Sequence, residues 1–115
     1  LSIWQVAEEI ARLAEGARTN KLGTDELSGA TTTLTSLGPL GGIVTTPVIN
    51  RPEVAIFGPN KIRKKLILEE GEIIQRLVMN FSVSCDHRVI DGYDAAKMMQ
   101  DMKQALEDPL FMFLS

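Results

Sequence analysis

The chain has 115 residues, 44% of them hydrophobic and 23% charged, with a formal net charge of −3. That length suits one domain, and the balance excludes a disordered chain. The slight acidity gives no electrostatic basis for nucleic acid or an anionic membrane as partner, and no run approaches the roughly 20 apolar residues of a membrane span. No secretory signal pattern is visible, and the single cysteine, Cys85, has no partner for an internal disulfide. With His87 it makes too small a set for a metal site.

The chain opens at Leu1 inside a helical pattern, as a piece of something longer would. Residues 2–18 predict an amphipathic helix. Ile3, Val6, Ile10, Leu13 and Ala17 share one side, and Glu8, Glu9, Arg12 and Arg18 the other. Ser2 with Gln5 fits a capping box, and Glu8 with Arg12 a supporting i,i+4 pair. Residues 20–23 break the pattern, and Asp25-Glu26-Leu27 suits a short turn before Gly29. The β-branched run 30–37 predicts a strand. The loop that follows carries Gly38, Gly41 and Gly42 with Pro39, Pro47 and Pro52. It reads as a connection between strands or as a binding element, with the connection favoured.

Glu53 to Phe57 predicts a short apolar strand and Arg63 to Leu68 another, turning through 69–72 into a long strand from Ile73 to Cys85. In it Leu77, Met79, Phe81, Val83 and Cys85 alternate with a more polar face. This alternation makes Cys85 an inert core thiol. Lys61, Arg63, Lys64 and Lys65 are compatible with phosphate binding, but a solvated strand edge is favoured. A helix is expected from about Tyr93 to Glu107, with Ala95, Met98, Met102, Ala105 and Leu106 as a core-filling stripe. Asp108-Pro109 ends it, and the apolar tail Leu110 to Leu114 calls for burial, on this chain or another subunit.

The candidate chemistry lies in Asp86-His87-Arg88-Val89-Ile90-Asp91-Gly92, which holds the one histidine. Histidine titrates near neutral pH, so it can take up a proton and return it. The spacing alone leaves two readings open: a general base with a carboxylate supporter, or an imidazole satisfied at a strand end with Asp91 capping the next helix.

Taken in order, six segments resemble the C-terminal part of the catalytic core of dihydrolipoamide acyltransferases, the central components of 2-oxoacid dehydrogenase complexes. They are Glu26-Leu27-Ser28-Gly29; Thr33-Leu34-Thr35-Ser36-Leu37-Gly38 with Gly41-Gly42; Thr46-Pro47-Val48-Ile49-Asn50; Pro52-Glu53-Val54-Ala55-Ile56; the histidine motif; and Glu107-Asp108-Pro109. Met79-Asn80 and Pro109-Leu110-Phe111-Met112 look most like the branched-chain type.

The resemblance implies an α/β, chloramphenicol acetyltransferase-like two-layer sandwich, with residues 1–115 forming the C-terminal half of a catalytic domain. It implies acyl transfer between dihydrolipoamide and coenzyme A. The lipoyl group would be carried on a domain absent from this chain, and the coenzyme A contacts are unassigned. By resemblance His87 is the general base and Thr35 the hydroxyl donor to the oxyanion, preferred over Ser36, which a regular strand turns to its opposite face. Asp91 would orient the active-site loop, although its usual arginine partner belongs to the earlier half of the domain.

Homo-trimers building a larger core are implied, with His87 and Thr35 drawn from different chains. Decarboxylase and dihydrolipoamide dehydrogenase components would be partners through absent domains, in the bacterial cytoplasm or the mitochondrial matrix. A non-catalytic assembly fragment is the alternative. A coenzyme A-dependent enzyme with another acceptor fits less well, given the Thr35 segment and the Thr46-Pro47 loop.

Overall fold

The computed structural model describes residues 1–114. Two compact units divide the chain, Leu1–Thr31 and Thr32–Ser115. The first is helix α1 (Ile3–Arg18) followed by a single 3₁₀ turn, Thr24–Glu26. The predicted capping box is present: Ser2 accepts from the Gln5 backbone N–H, and the Gln5 side chain accepts from Ser2 N–H. Arg12 does not pair with Glu8 as expected. It bonds Glu9 and reaches Glu26 at 2.6 Å, which ties the helix to the 3₁₀ turn. The Gly16 position is filled by Leu22, which folds back where a Cβ would collide.

The second unit holds two small sheets and two helices. β1 (Thr33–Leu34), β2 (Ala55–Pro59) and β5 (Phe81–Cys85) form one sheet in the order β1-β2-β5, while β3 (Arg63–Glu69) and β4 (Glu72–Val78) pair only with each other. β1 runs parallel to β2 with Leu34 opposite Phe57, and β5 runs antiparallel with Cys85 opposite Ala55. Helices α2 (Gly92–Glu107) and α3 (Phe111–Leu114) follow. α2 stops before Asp108-Pro109, as expected.

Several sequence expectations change. The strand over 30–37 shrinks to two residues, because β2 is its one partner and Gly38 turns the chain away at φ +55°. The strand expected at Glu53 to Phe57 starts two residues later, at Ala55. The long strand from Ile73 to Cys85 is really two strands in different sheets, broken at Met79-Asn80. Asn80 is taken up by other loops: its Nδ2 donates to Ile43 C=O, and its own C=O receives the Asn60 N–H. Cys85 is half-buried instead of a core thiol. Met98 is 50% exposed, so the methionine stripe does not fill a closed core. In the tail, Leu110 and Phe113 stand exposed.

Ile56, on the central strand, is the one buried apolar side chain among the described residues. One face of the β3–β4 hairpin carries Leu66, Leu68, Ile73 and Leu77, all between 69% and 74% exposed. Isolated hairpins are marginal in water, so this face calls for a covering surface.

The join between β1 and β2 depends on a buried carboxylate. Glu53, 8% exposed, accepts from Thr33 Oγ1 at 2.6 Å and from Asn50 Nδ2 at 3.2 Å. Replacing Thr33 by Val leaves one oxygen of that carboxylate without its donor. The change is expected to lower stability by about 1–3 kcal/mol, read as a reduced denaturant midpoint.

Candidate functional site

The histidine motif occupies the turn between β5 and α2. Asp86 N–H donates to Val54 C=O at 2.8 Å, which continues the β5–β2 ladder by one bond. Asp86 C=O then receives the N–H groups of Val89 and Ile90, each at 3.0 Å. Its carboxylate accepts from the Arg88 backbone N–H and takes a bidentate grip on the guanidinium, at 2.9 and 2.7 Å. His87 rides exposed on this clamped turn.

The imidazole Nε2 faces the start of α2, where a Cβ added to Gly92 would sit 3.9 Å away. A side chain at Gly92 would thus touch that nitrogen only at ordinary van der Waals distance. Asp91 stands at the N-cap position of α2 and its C=O accepts from Ala95 N–H, but its side chain makes no capping bond. Asp91 thus holds the cap position, as the sequence allows, without the side-chain bond of a cap. Among the described residues no hydrogen bond joins Asp91 to His87, so this chain alone does not make them a dyad.

The Arg88 guanidinium, and then its backbone N–H, hold the Asp86 carboxyl down from its ordinary 3.8 to about 2. Asp86 is a positioning residue for this turn that the histidine motif does not by itself mark out. The signal available was its Asp-x-Arg spacing, which suits a side chain that bonds the backbone two residues on.

Thr35 lies beyond β1, with its N–H donating to Phe57 C=O at 2.8 Å. It borders a cavity of about 240 Å³ with Ser36, Thr45, Thr46, Pro47 and Asn60 among the other walls. β1 ends at Leu34, so strand alternation does not carry on to Ser36, and both hydroxyl residues reach the cavity rim. Ser36 Oγ is engaged locally, accepting from Gly38 N–H at 3.0 Å. Gly58 makes the close fit possible, since a Cβ there would lie 2.9 Å from Thr45 Oγ1. Neither Gly58 nor Asn60 was singled out from the sequence; a Gly in an apolar strand signals close backbone approach.

The structure does not bring His87 and Thr35 together within one chain. Thr35 follows β1, parallel to β2, and so lies beside the C-terminal end of β2. His87 follows β5, which is antiparallel, and so lies beyond the N-terminal end of β2 on its other edge. Two interstrand spacings and a three-residue offset separate the Cα atoms of Thr35 and Cys85 by about 14 Å, and the turn carries His87 onward from there. No three metal-binding side chains cluster among the described residues, and none of their helices is long and apolar enough to cross a membrane.

Solved structures with this arrangement are acyltransferase cores of mixed α/β content. Azotobacter vinelandii dihydrolipoamide acetyltransferase superposes with a TM-score of 0.86 at 44% identity, over 94% of this chain and 44% of that one. The cubic core of a pyruvate dehydrogenase multienzyme complex gives the same TM-score and coverage at 43% identity. The class is therefore that of acyltransferase catalytic cores. Residues 1–114 match the family described as 2-oxoacid dehydrogenases acyltransferase (catalytic domain), and the chain belongs to it.

A curated relative, the lipoamide acyltransferase component of the branched-chain alpha-keto acid dehydrogenase complex of Pseudomonas putida, is 53% identical over 113 residues. The match takes in 98% of this chain but 27% of that protein, so the chain spans about a quarter of the relative's length.

The Asp86–Arg88 clamp makes a direct prediction. Because the folded-state pKa of Asp86 is depressed, the pair's contribution is present above the ordinary value of 3.8 and is lost as pH falls toward 2. An NMR titration of the Asp86 carboxyl should give a midpoint near 2, and Arg88→Ala should return it toward the ordinary value.

Proposed function

We propose that the chain supplies both catalytic side chains of an acyl transfer between dihydrolipoamide and coenzyme A, with His87 of one copy meeting Thr35 of another. One observation carries this reading. Work on the A. vinelandii acetyltransferase concerns a serine, a histidine and an asparagine in its catalytic mechanism, at separations of 52 and 4 positions. Thr35, His87 and Asp91 have those same separations here.

The chemistry follows from the side chains. A thiol of ordinary pKa, about 8.5, is mostly protonated at neutral pH, and the thiolate is the nucleophile. His87 takes the proton from the coenzyme A thiol as its sulfur attacks the thioester carbonyl of the acylated dihydrolipoamide. The carbonyl electron pair moves onto oxygen, and the Thr35 hydroxyl donates to that oxyanion. The tetrahedral adduct collapses, the carbon–sulfur bond to dihydrolipoamide breaks, and the imidazolium returns its proton to the departing thiolate. No covalent acyl-enzyme forms.

An asparagine four positions after the relative's histidine argues that Asp91 acts by position and not by carrying a proton. The acyl group proposed is a branched-chain one, on the 53% identity to the Pseudomonas putida component. The partner proposed for the open hairpin face is a further copy of the chain in a trimer-based core, since a solved relative is a cubic core. The same exposed Leu66, Leu68, Ile73 and Leu77 favour a second reading, in which this segment serves assembly alone.

The two readings separate in an assay of acyl-dihydrolipoamide with coenzyme A on the complete assembled protein. His87→Ala should lose on the order of 10²-fold or more in kcat, and Thr35→Val roughly 10²- to 10³-fold. Asp91→Asn should keep most of the activity. Co-assembling His87→Ala with Thr35→Val should restore about a quarter of the wild-type rate, because sites pairing the intact residues of both chains re-form. Unchanged rates in both single variants would leave assembly as the function, and no recovery on mixing would rule out a shared site.

A further inference from the structure

His87 is held through its neighbours. Among the described residues neither its N–H nor its C=O has a backbone partner. Before it, Cys85 is locked in the β5–β2 ladder opposite Ala55, and Asp86 adds the last bond of that ladder through its N–H to Val54 C=O. After it, the Val89 and Ile90 N–H groups return to Asp86 C=O. The φ and ψ of His87 therefore form an unbonded link between two anchored segments.

One side chain closes that link. Asp86 Oδ1 accepts from the Arg88 N–H at 3.1 Å. The ring so formed runs from the Asp86 side chain through the backbone of His87, and both dihedrals of the histidine lie inside it. Aspartate and asparagine make this turn because their oxygen reaches the N–H two residues on. A glutamate carries its oxygens one carbon farther out and loses that fit.

The Arg88 guanidinium braces the acceptor from outside, Nε to Oδ1 at 2.9 Å and Nη2 to Oδ2 at 2.7 Å. A carboxylate gripped at both oxygens keeps one orientation. The Arg88 side chain is 88% exposed, and an ion pair that open contributes little to stability. Its geometry matters more, because it fixes the oxygen that spans His87. A general base must stand within hydrogen-bond reach of its proton, and a misplacement of about 1 Å can cost on the order of 10²-fold.

We propose that Asp86 is a positioning residue of the reaction itself, which fixes the His87 backbone by accepting from the Arg88 N–H. The acceptor oxygen carries the effect, and the negative charge beside the imidazole does not. The assignment rests on the acyl-transfer reading above.

Two conservative variants of the complete assembled protein test it, assayed with acyl-dihydrolipoamide and coenzyme A. Asp86→Asn keeps the acceptor and loses the charge. Asp86→Glu keeps the charge and loses the short reach. Asp86→Asn should stay within about threefold of wild type in kcat. Asp86→Glu should lose roughly tenfold to a hundredfold in kcat, with KM for both substrates unchanged, because the turn places the base and not the substrates. If Asp86→Glu does not assemble, Asp86→Ala takes its place with the same expected loss.

The reverse order, with Asp86→Glu active and Asp86→Asn impaired, assigns the effect to charge and overturns the proposal. Equal rates in the two variants overturn it as well, whether both match wild type or both are impaired. So does a loss in Asp86→Glu that comes with a raised KM for both substrates, which marks general damage to the fold. His87→Ala is run beside them. An undiminished rate there refutes the acyl-transfer reading itself, whereas an impaired His87→Ala with the two Asp86 variants alike refutes the positioning role alone.

Discussion

The two backbone ladders on β2 are what the rest of the second unit depends on. One edge takes β1 in parallel and the other takes β5 antiparallel, so two strands that each lead into a candidate site residue point in opposite directions along a common rail. The hydrogen bonds that build the sheet thereby also set the distance between Thr35 and His87. No side-chain rotation can undo a separation fixed by register, because moving either residue means sliding a strand and turning its side chains to the other face. A second copy becomes a geometric requirement of the proposed chemistry.

Local chemistry was legible from the sequence, and tertiary partnership was not. The box of Ser2 and Gln5 and the stop at Asp108-Pro109 are set by residues within a turn of each other, and these features stand where they were read. The break at Met79-Asn80 is different. Two residues are inserted between β4 and β5, an even number, so the alternation of apolar positions continues through the gap as though one strand ran on. What interrupts it are bonds from Asn80 to Ile43 and Asn60, far away in sequence. The run at 30–37 has strand propensity throughout, yet a strand lasts only as long as its partner does.

The candidate site divides in the same manner. His87 and Asp91 share one motif, and the turn that carries them from β5 into α2 is local in sequence. The wall around Thr35 draws on Thr45 and Asn60 from two separate segments, and Ser82 of a third bonds both of them. Nothing in Pro59-Asn60 marks that asparagine as buried; as a dipeptide it suggests an exposed turn. Exposure misled for a related reason. Apolar periodicity says which face seeks cover, and the sequence reading filled those faces from within. With Ile56 the one buried apolar residue described, the faces of α1 and of the hairpin remain open.

The clamp on the β5–α2 turn has a consequence for how the proposed reaction would respond to acidity. A carboxylate that keeps its charge down to about pH 2 holds the backbone around His87 in one shape over the whole range in which imidazoles and thiols exchange protons. The scaffold and the proposed proton carrier, His87, are thereby decoupled. A bend in a rate profile between mildly acidic and mildly basic conditions would then not come from loss of the Asp86–Arg88 pair, which keeps the turn as a fixed mount on either side of the bend.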